Sequence, residues 1–266
     1  METLPLASLL SRLRDTHPLV HHITNSVTIN DCANVTISVG AAPVMADAPE
    51  EVAEMAGIAD ALVLNIGTLT STQVDSMLLA GRTANSREIP IILDPVGAGA
   101  TVFRTSTALR LLKDLDIAVL KGNAGEIGTI AGSGGRVRGV DSEGLTGDPE
   151  EICTALADHL GCIVAMSAPI DVVADGSRVA LVENGHPLMG SVSGTGCMVS
   201  SVAGAFAAVT RDRFSAAVAA FATFGLAGET AAICAEGPGS FRVGLLDTLA
   251  GIAPAHLNRG ARVRLA

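Results

Sequence analysis

Four short blocks of this chain carry residue types that could do chemistry. Ser193-Gly194-Thr195-Gly196-Cys197 leads directly into an Ala/Val/Gly-rich segment with helical character. Glycines at 194 and 196 let the backbone turn its N–H groups towards an anion, and a helix start adds partial positive charge. Such a corner suits a phosphate in transfer. The competing reading is a plain helix-entry turn, since the chain has 29 glycines and a lone Gly-x-Gly is common. Cys197 stands in the first turn of that helix, where a thiol pKa tends to fall. It could orient or deprotonate an attacking alcohol, or it could be a small buried core residue.

Lys121-Gly122-Asn123-Ala124-Gly125-Glu126 follows the expected strand Ile117–Leu120. Asn123 and Glu126 are three apart, so at a helix start they share a face. There they could hold waters of a Mg²⁺ ion, or simply form an Asn cap with an acidic first turn. Asp94 closes the apolar run before Pro95-Val96-Gly97, and ligands of open α/β sheets bind at the carboxyl ends of strands. A turn former is the alternative there. In His21-His22-Ile23-Thr24-Asn25 the adjacent histidines point to opposite strand faces, so they cannot share a metal and are read as packed residues. Asn25 could anchor a ring nitrogen or a hydroxyl, or cap a following helix. Met45 could line an apolar pocket or fill the core.

Alternating elements must position these groups. Strands are expected at Leu19–Ile23, Ala61–Ile66, Ile89–Leu93, Ile117–Leu120, Ile163–Met166, Asp171–Ala174 and Val179–Glu183, the last two joined as a hairpin through Asp175-Gly176-Ser177. Helical patterns fall at Val27–Val39, Glu50–Ala56, Ser71–Ala84, Thr107–Lys113 and Pro149–Leu160. After Gly190 only helices are expected: Met198–Val209, Phe214–Cys234 and Phe241–Leu257. Continuous apolar strands alternating with helices predict an α/β fold, a mostly parallel sheet covered on both faces. The Gly-rich stretch Ala131–Asp148 reads as the longest loop. Residues 1–266 are expected to form one domain.

Composition narrows the function. The net charge is −10, Trp and Tyr are absent, and Lys113 and Lys121 are the only lysines, which argues against nucleic acid as a partner. No uncharged apolar run reaches the roughly 18 residues of a membrane span. The N-terminal stretch, with Leu6, Leu9, Leu10 and Leu13 at helical spacing, reads as a docked amphipathic helix rather than a signal peptide. Five scattered cysteines without a C-x-x-C spacing suggest neither a disulfide framework nor a zinc site, which fits a reducing cytoplasm.

Taken jointly, V-H-H-I-T-N, P-V-M-A-D-A-P-E-E, N-I-G-T-L, L-D-P-V-G-A-G-A-T, K-G-N-A-G-E-I, G-V-D-S and G-T-G-C-M resemble hydroxyethylthiazole kinase, a thiamine-salvage family of the ribokinase-like superfamily. The resemblance implies ATP- and Mg²⁺-dependent phosphorylation of the hydroxyethyl oxygen of 4-methyl-5-(2-hydroxyethyl)thiazole. It implies thiazole contacts from Met45 and Gly194, with Asn25 and Gly67 close by. Lys121 and Ser167 would bind ATP, joined by Asn123, while Asp94 and Glu126 would serve the metal and phosphates. Cys197 would meet the reacting hydroxyl, where many relatives place an aspartate. It also implies a homotrimer whose active sites lie between subunits, expected here to take the Asn25/Met45 side from one chain and the Gly194–Cys197 corner from another. The chain departs from the family at Lys121, often Arg, and at Ala168-Pro169, where a Gly usually follows the hydroxyl residue. Rival readings on the same fold are a hydroxymethylpyrimidine kinase, a nucleotide-dependent NAD(P)H-hydrate dehydratase and a non-catalytic thiazole-binding protein. Retention of Asp94, Glu126 and the Gly194–Cys197 corner argues against the last.

Overall fold

The computed structural model describes residues 4–132, 136–138, 141–143 and 147–266. Helix α1 (Leu6–Thr16) buries Leu6, Leu9, Leu10 and Leu13, as their spacing predicts. Then come β1 (Leu19–Ile23), α2 (Ile29–Val39), β2 (Ala42–Val44), α3 (Val52–Ile58), β3 (Ala61–Asn65) and α4 (Ser71–Ser86). The middle of the chain forms β4 (Ile91–Asp94), α5 (Val102–Asp114), β5 (Val119–Asn123), α6 (Ala124–Ile130), β6 (Arg136–Arg138), β7 (Asp141–Glu143) and α7 (Pro149–Leu160). It closes with β8 (Ile163–Ser167), β9 (Asp171–Ala174), β10 (Val179–Val182), α8 (Thr195–Ala207), α9 (Arg213–Ala232), α10 (Pro238–Gly251), α11 (Pro254–Gly260) and β11 (Val263–Leu265).

Among the described residues nine strands form one sheet in the order β11-β10-β9-β8-β5-β4-β3-β1-β2. From β2 to β8 neighbours run parallel, and β9, β10 and β11 are antiparallel. Successive side chains leave a strand on opposite faces, so each central strand feeds two cores. Val63 of β3 joins the cluster under α1, α2, α8, α9 and α10, while Leu62 and Leu64 join the one under α3, α4, α5 and α7. The predicted two-faced, mostly parallel sheet is therefore what forms. Among the described residues only α9 has the length and apolar character to cross a membrane, and it is a core helix with most of its residues buried.

Several boundaries differ from the sequence reading. Strand β5 runs to Asn123 because Lys121, Gly122 and Asn123 stay in register with Ala165, Met166 and Ser167 of β8. Lys121 and Asn123 thus lie within the strand, not after it. Likewise β4 includes Asp94. The single helix expected over Phe241–Leu257 is two, α10 and α11, broken just before Pro254, whose ring and missing N–H oppose helix continuation. Strand β11 was not expected; it adds to β10 at the sheet edge. The loop expected at Ala131–Asp148 contains the β6–β7 ladder, and its residues 133–135, 139–140 and 144–146 lie outside the described residues, Gly139-Val140 of the G-V-D-S block included. The β9–β10 hairpin forms as expected, with Asp175 Oδ1 accepting from the N–H groups of Ser177 and Arg178.

Candidate active site

Parallel strands end at one edge of the sheet, and all but the edge strand β2 end on a polar residue or are followed by one. Asn25 lies two residues past β1, Asn65 closes β3, Asp94 closes β4, Asn123 closes β5 and Ser167 closes β8. The start of α8 faces the same edge. Together they line a cleft of about 410 Å³ that holds Asn25, Gly67, Asp94, Lys121, Asn123, Glu126, Ser167, Gly194 and Cys197. Met45, half-buried beyond the edge strand β2, does not line it. Asn25 and the Gly194–Cys197 corner therefore meet within one chain, which corrects the expectation that separate subunits supply them.

The corner has the backbone its sequence suggests. Gly194 adopts φ +92°, and a Cβ there would stand 2.5 Å from Cγ2 of Thr28. That residue caps α8 without a side chain, and the first N–H groups of a helix have no intrahelical partner. Alternation along β5 puts Lys121 on the Val119 face, under α8. A Cβ on Gly196 would stand only 3.2 Å from Lys121 Nζ, so the glycine lets the ammonium reach the corner.

Asp94 is buried and accepts at Oδ2 from Ser200 Oγ (2.7 Å) and Asn65 Nδ2 (2.8 Å), while its buried Oδ1 has no partner among the described residues. Burial pushes its carboxyl up, opposed by Lys121 and these two hydrogen bonds. Burial on its own would lower the Lys121 pKa, yet the acidic groups around it, Asp94 foremost, together outweigh it and raise it. Glu126 is raised by burial and by Asp94. Its Oε1 accepts from Gly97 N (2.8 Å) and its Oε2 from Asn123 N (2.8 Å), and Asn123 Oδ1 accepts from Glu126 N (3.0 Å). The cap with an acidic first turn is therefore realised as a capping box.

Cys197 departs from the local expectation. Its Sγ accepts from Asn25 Nδ2 (3.4 Å) and Asn65 Nδ2 (3.3 Å). Burial, followed by the nearby Asp94, pushes the thiol up to about 11, rather than down as its helix-start position suggests. Asn25 lines the site and does not cap α2, whose N-cap is Thr28; its Oδ1 holds the preceding turn by accepting from Val27 N, Thr28 N and Thr28 Oγ1. The histidines are packed residues, His21 Nε2 lying 2.6 Å from Ala46 O and His22 Nδ1 3.1 Å from Val20 O.

A second cavity, of about 600 Å³, adjoins the first at Ser167, Gly190, Thr195 and Gly196 and extends to Phe221 and Phe224. Ala168 and Asp171 line it, with Asp171 pushed up to about 7 by burial. Three functional neighbours escaped the sequence reading. Asn65 and Ser200 hold Asp94, and Asn65 at least carried a signal, a polar residue closing an apolar strand. Arg104 donates to the carbonyls of Ile66 (3.1 Å), Gly67 (2.7 Å) and Val96 (2.6 Å), tying two cleft loops together. Nothing in its sequence context announces that.

Among the described residues no group of three or more His, Cys, Asp or Glu is placed to hold a metal ion. A kinase Mg²⁺ commonly needs only one or two carboxylates, with phosphates and water completing its shell.

The chain is similar to known proteins in sequence and in fold. The sequence profile of the hydroxyethylthiazole kinase family matches residues 10–254. A hydroxyethylthiazole kinase from Methanosphaerula palustris is 61% identical over 263 residues, 99% of each chain. One from Methanoculleus marisnigri is 62% identical over 257 residues, 97% of this chain and 92% of that one. The structure of the hydroxyethylthiazole kinase protein from Pyrococcus horikoshii superposes with a TM-score of 0.90 at 42% identity, covering 98% of both chains. A ribokinase-like superfamily protein from Enterococcus faecalis, 14% identical, shares the fold with a TM-score of 0.66 over 92% of this chain and 89% of that one. This chain, ribokinase-like in fold, belongs to the hydroxyethylthiazole kinase family.

Proposed function

We propose that the protein transfers the γ-phosphoryl group of ATP to the hydroxyethyl oxygen of 4-methyl-5-(2-hydroxyethyl)thiazole, a thiamine-salvage reaction. One observation carries the reading: two cavities meet at the helix start Gly194–Cys197, with Lys121 Nζ against it. ATP occupies the larger cavity, its polyphosphate pointing at the corner, and the thiazole alcohol occupies the smaller. The alcohol oxygen bonds to the γ-phosphorus as the bond to the β,γ-bridging oxygen breaks. First-turn N–H groups of α8 and the Lys121 ammonium balance charge on the transferring group.

The buried, unpartnered Oδ1 of Asp94 fits a Mg²⁺ ligand, with Asn123, Glu126 and Ser167 lining the same cleft. Both Glu126 oxygens already accept backbone N–H groups, so it would act through bound water. When bound, the ion supplies charge neutralisation at the phosphates. A thiol held near 11 is protonated at neutral pH, so Cys197 orients the hydroxyl rather than taking its proton, which leaves late to the phosphate. Asn25, Gly67 and Gly194 contact the thiazole; Lys121, Asn123 and Ser167 contact ATP.

The finer features follow the same reading. Val27, 69% exposed, lines the smaller cavity, which suits closure by a second subunit of a homotrimer bearing Met45. Activity regained on mixing inactive Met45→Arg and Cys197→Ala variants would test that sharing. Residues 1–266 act as one kinase domain, α1 packing on α11 near the chain's end. All five cysteines are unpaired, as suits a cytoplasmic protein. The deciding assay follows ADP release with thiazole alcohol, hydroxymethylpyrimidine and hydrated NADH. Thiazole-dependent release is expected; turnover of only another substrate, or none, overturns the assignment.

A further inference from the structure

We infer that Asn65 is a positioning residue that fixes the direction of both Asp94 and Cys197. The inference rests on the kinase reading above. Asn65 closes β3, is only 1% exposed, and does not itself line either cavity.

Its neighbours leave one orientation for the amide. Gly67 N–H can only donate, so the Asn65 atom facing it at 2.9 Å is Oδ1. Asn25 is itself pinned, because its Oδ1 accepts from two backbone N–H groups and the Thr28 hydroxyl. Its Nδ2 therefore turns to Asn65 Oδ1, at 3.0 Å. The opposite edge of the Asn65 amide must then carry the donors. Nδ2 donates to Asp94 Oδ2 at 2.8 Å and to Cys197 Sγ at 3.3 Å. Two acceptances and two donations exhaust what a side-chain amide can offer.

Each donation has a directional consequence. Asp94 Oδ2 is held by Asn65 and Ser200 together, which sets the carboxylate plane and leaves Oδ1 as the oxygen without a partner. Cys197 sulfur receives N–H groups from Asn25 and Asn65, so its lone pairs face the amides and the S–H is what it can present. A residue serving only to finish β3 would need an acceptor for Gly67 N–H, which Asp or Ser could provide. Neither an ionised carboxylate nor a lone hydroxyl supplies an acceptor edge and a two-donor edge on one plane. The amide is demanded by the two reactive groups, not by the strand.

The test uses the full chain and purified Asn65→Ala, Asn65→Asp, Ser200→Ala and the Asn65→Ala/Ser200→Ala double variant. All are assayed for ADP release at a temperature where each is folded by its thermal melt. Asn65→Asp preserves volume and the acceptor edge but replaces both N–H donors with a carboxylate oxygen set against Asp94 Oδ2. Both Asn65 variants are expected to lower kcat about a hundred-fold, the size of a roughly 1 Å misplacement, with the KM values for thiazole alcohol and ATP within about three-fold. Because Asn65 and Ser200 hold the same oxygen, the double variant should lose less than the product of the single losses. Wild-type kcat in a folded Asn65 variant, a loss confined to KM, or strictly multiplicative losses would each overturn the inference. If Asn65→Ala does not fold, the kcat and KM of Asn65→Asp decide it. Failure of the kinase reading is separately visible, as a wild-type protein that releases no ADP with thiazole alcohol.

Discussion

Asp94→Asn is a nearly isosteric removal of one charge, and the surrounding donors dictate how the new amide sits. Ser200 Oγ and Asn65 Nδ2 both donate to the Oδ2 position, at 2.7 and 2.8 Å. The amide oxygen must occupy that position, which places the new NH₂ where Oδ1 stood. An acceptor with no partner is thereby replaced by a donor pointing at the same space. Two unit charges about 4 Å apart interact by about 4 kcal/mol at an effective dielectric constant near 20. Losing one such interaction in the transition state corresponds to roughly a thousand-fold in rate. Stability should change far less, because Lys121 keeps Glu126 and Asp171 as neighbours and both hydrogen bonds to the Oδ2 position survive. The assay is ADP release against Mg²⁺ concentration at saturating ATP and thiazole alcohol, alongside a thermal melt. We expect a collapse of kcat with a raised Mg²⁺ requirement and a melting temperature within a few degrees of wild type. Activity within ten-fold of wild type at an unchanged Mg²⁺ midpoint would refute the role given to Oδ1.

Cys197→Ala should lower kcat by roughly ten-fold, below the range of a true acid–base group, and the wild-type rate should show no thiol-dependent rise between pH 6 and 9. A ten-fold gain per pH unit over that range would instead identify the thiolate as the base. Gly194→Ala forces φ +92° on a side chain whose Cβ would meet Thr28 Cγ2 at 2.5 Å. It should cost about 1–2 kcal/mol of stability and raise KM for the thiazole; an unchanged melt and KM would show that the corner yields. His22, buried, is lowered from 6.5 to about 4 by desolvation. The native state therefore binds fewer protons than the unfolded chain between those values, and stability present above pH 6.5 is lost as pH falls towards 4. The loss is about 3 kcal/mol; urea unfolding at pH 7 and pH 4.5 should show most of it, and a His22→Gln variant should lack that component.

These experiments probe features of unequal visibility in the sequence. The sheet was legible because buried parallel strands are continuous apolar runs, and Ala61–Asn65 is buried at every position. Cleft positions were legible where a polar residue ends such a run, as at Asp94. Asn65 obeys the same rule and could have been read by it, but its N-I-G-T-L block drew attention to the glycine instead. Arg104 was beyond reach: its three carbonyl partners come from two loops that only the folded sheet brings together. Strand β11 was hidden for a related reason. Its residues are half-buried or exposed, so it carries no apolar run, and only backbone pairing with β10 defines it.

Electrostatic sign was the least legible property of all. A helix start offers a thiol about half a positive charge, and local reasoning at Cys197 stops there. Burial opposes ionisation, and the thiol also lies near the carboxylate of Asp94, which ends strand β4. Desolvation of an anion inside a protein shifts a pKa by several units where it is complete, whereas a helix end is worth about 1 kcal/mol or less in an ordinary setting. The larger effect wins, and the thiol moves up. The same packing of α8 onto the sheet that covers Cys197 also helps bury Asp94 and Lys121, so one docking event bears on all three groups. Residue types at strand ends can nominate a phosphoryl-transfer site from sequence. Which of its members carries a proton depends on how deeply α8 seats.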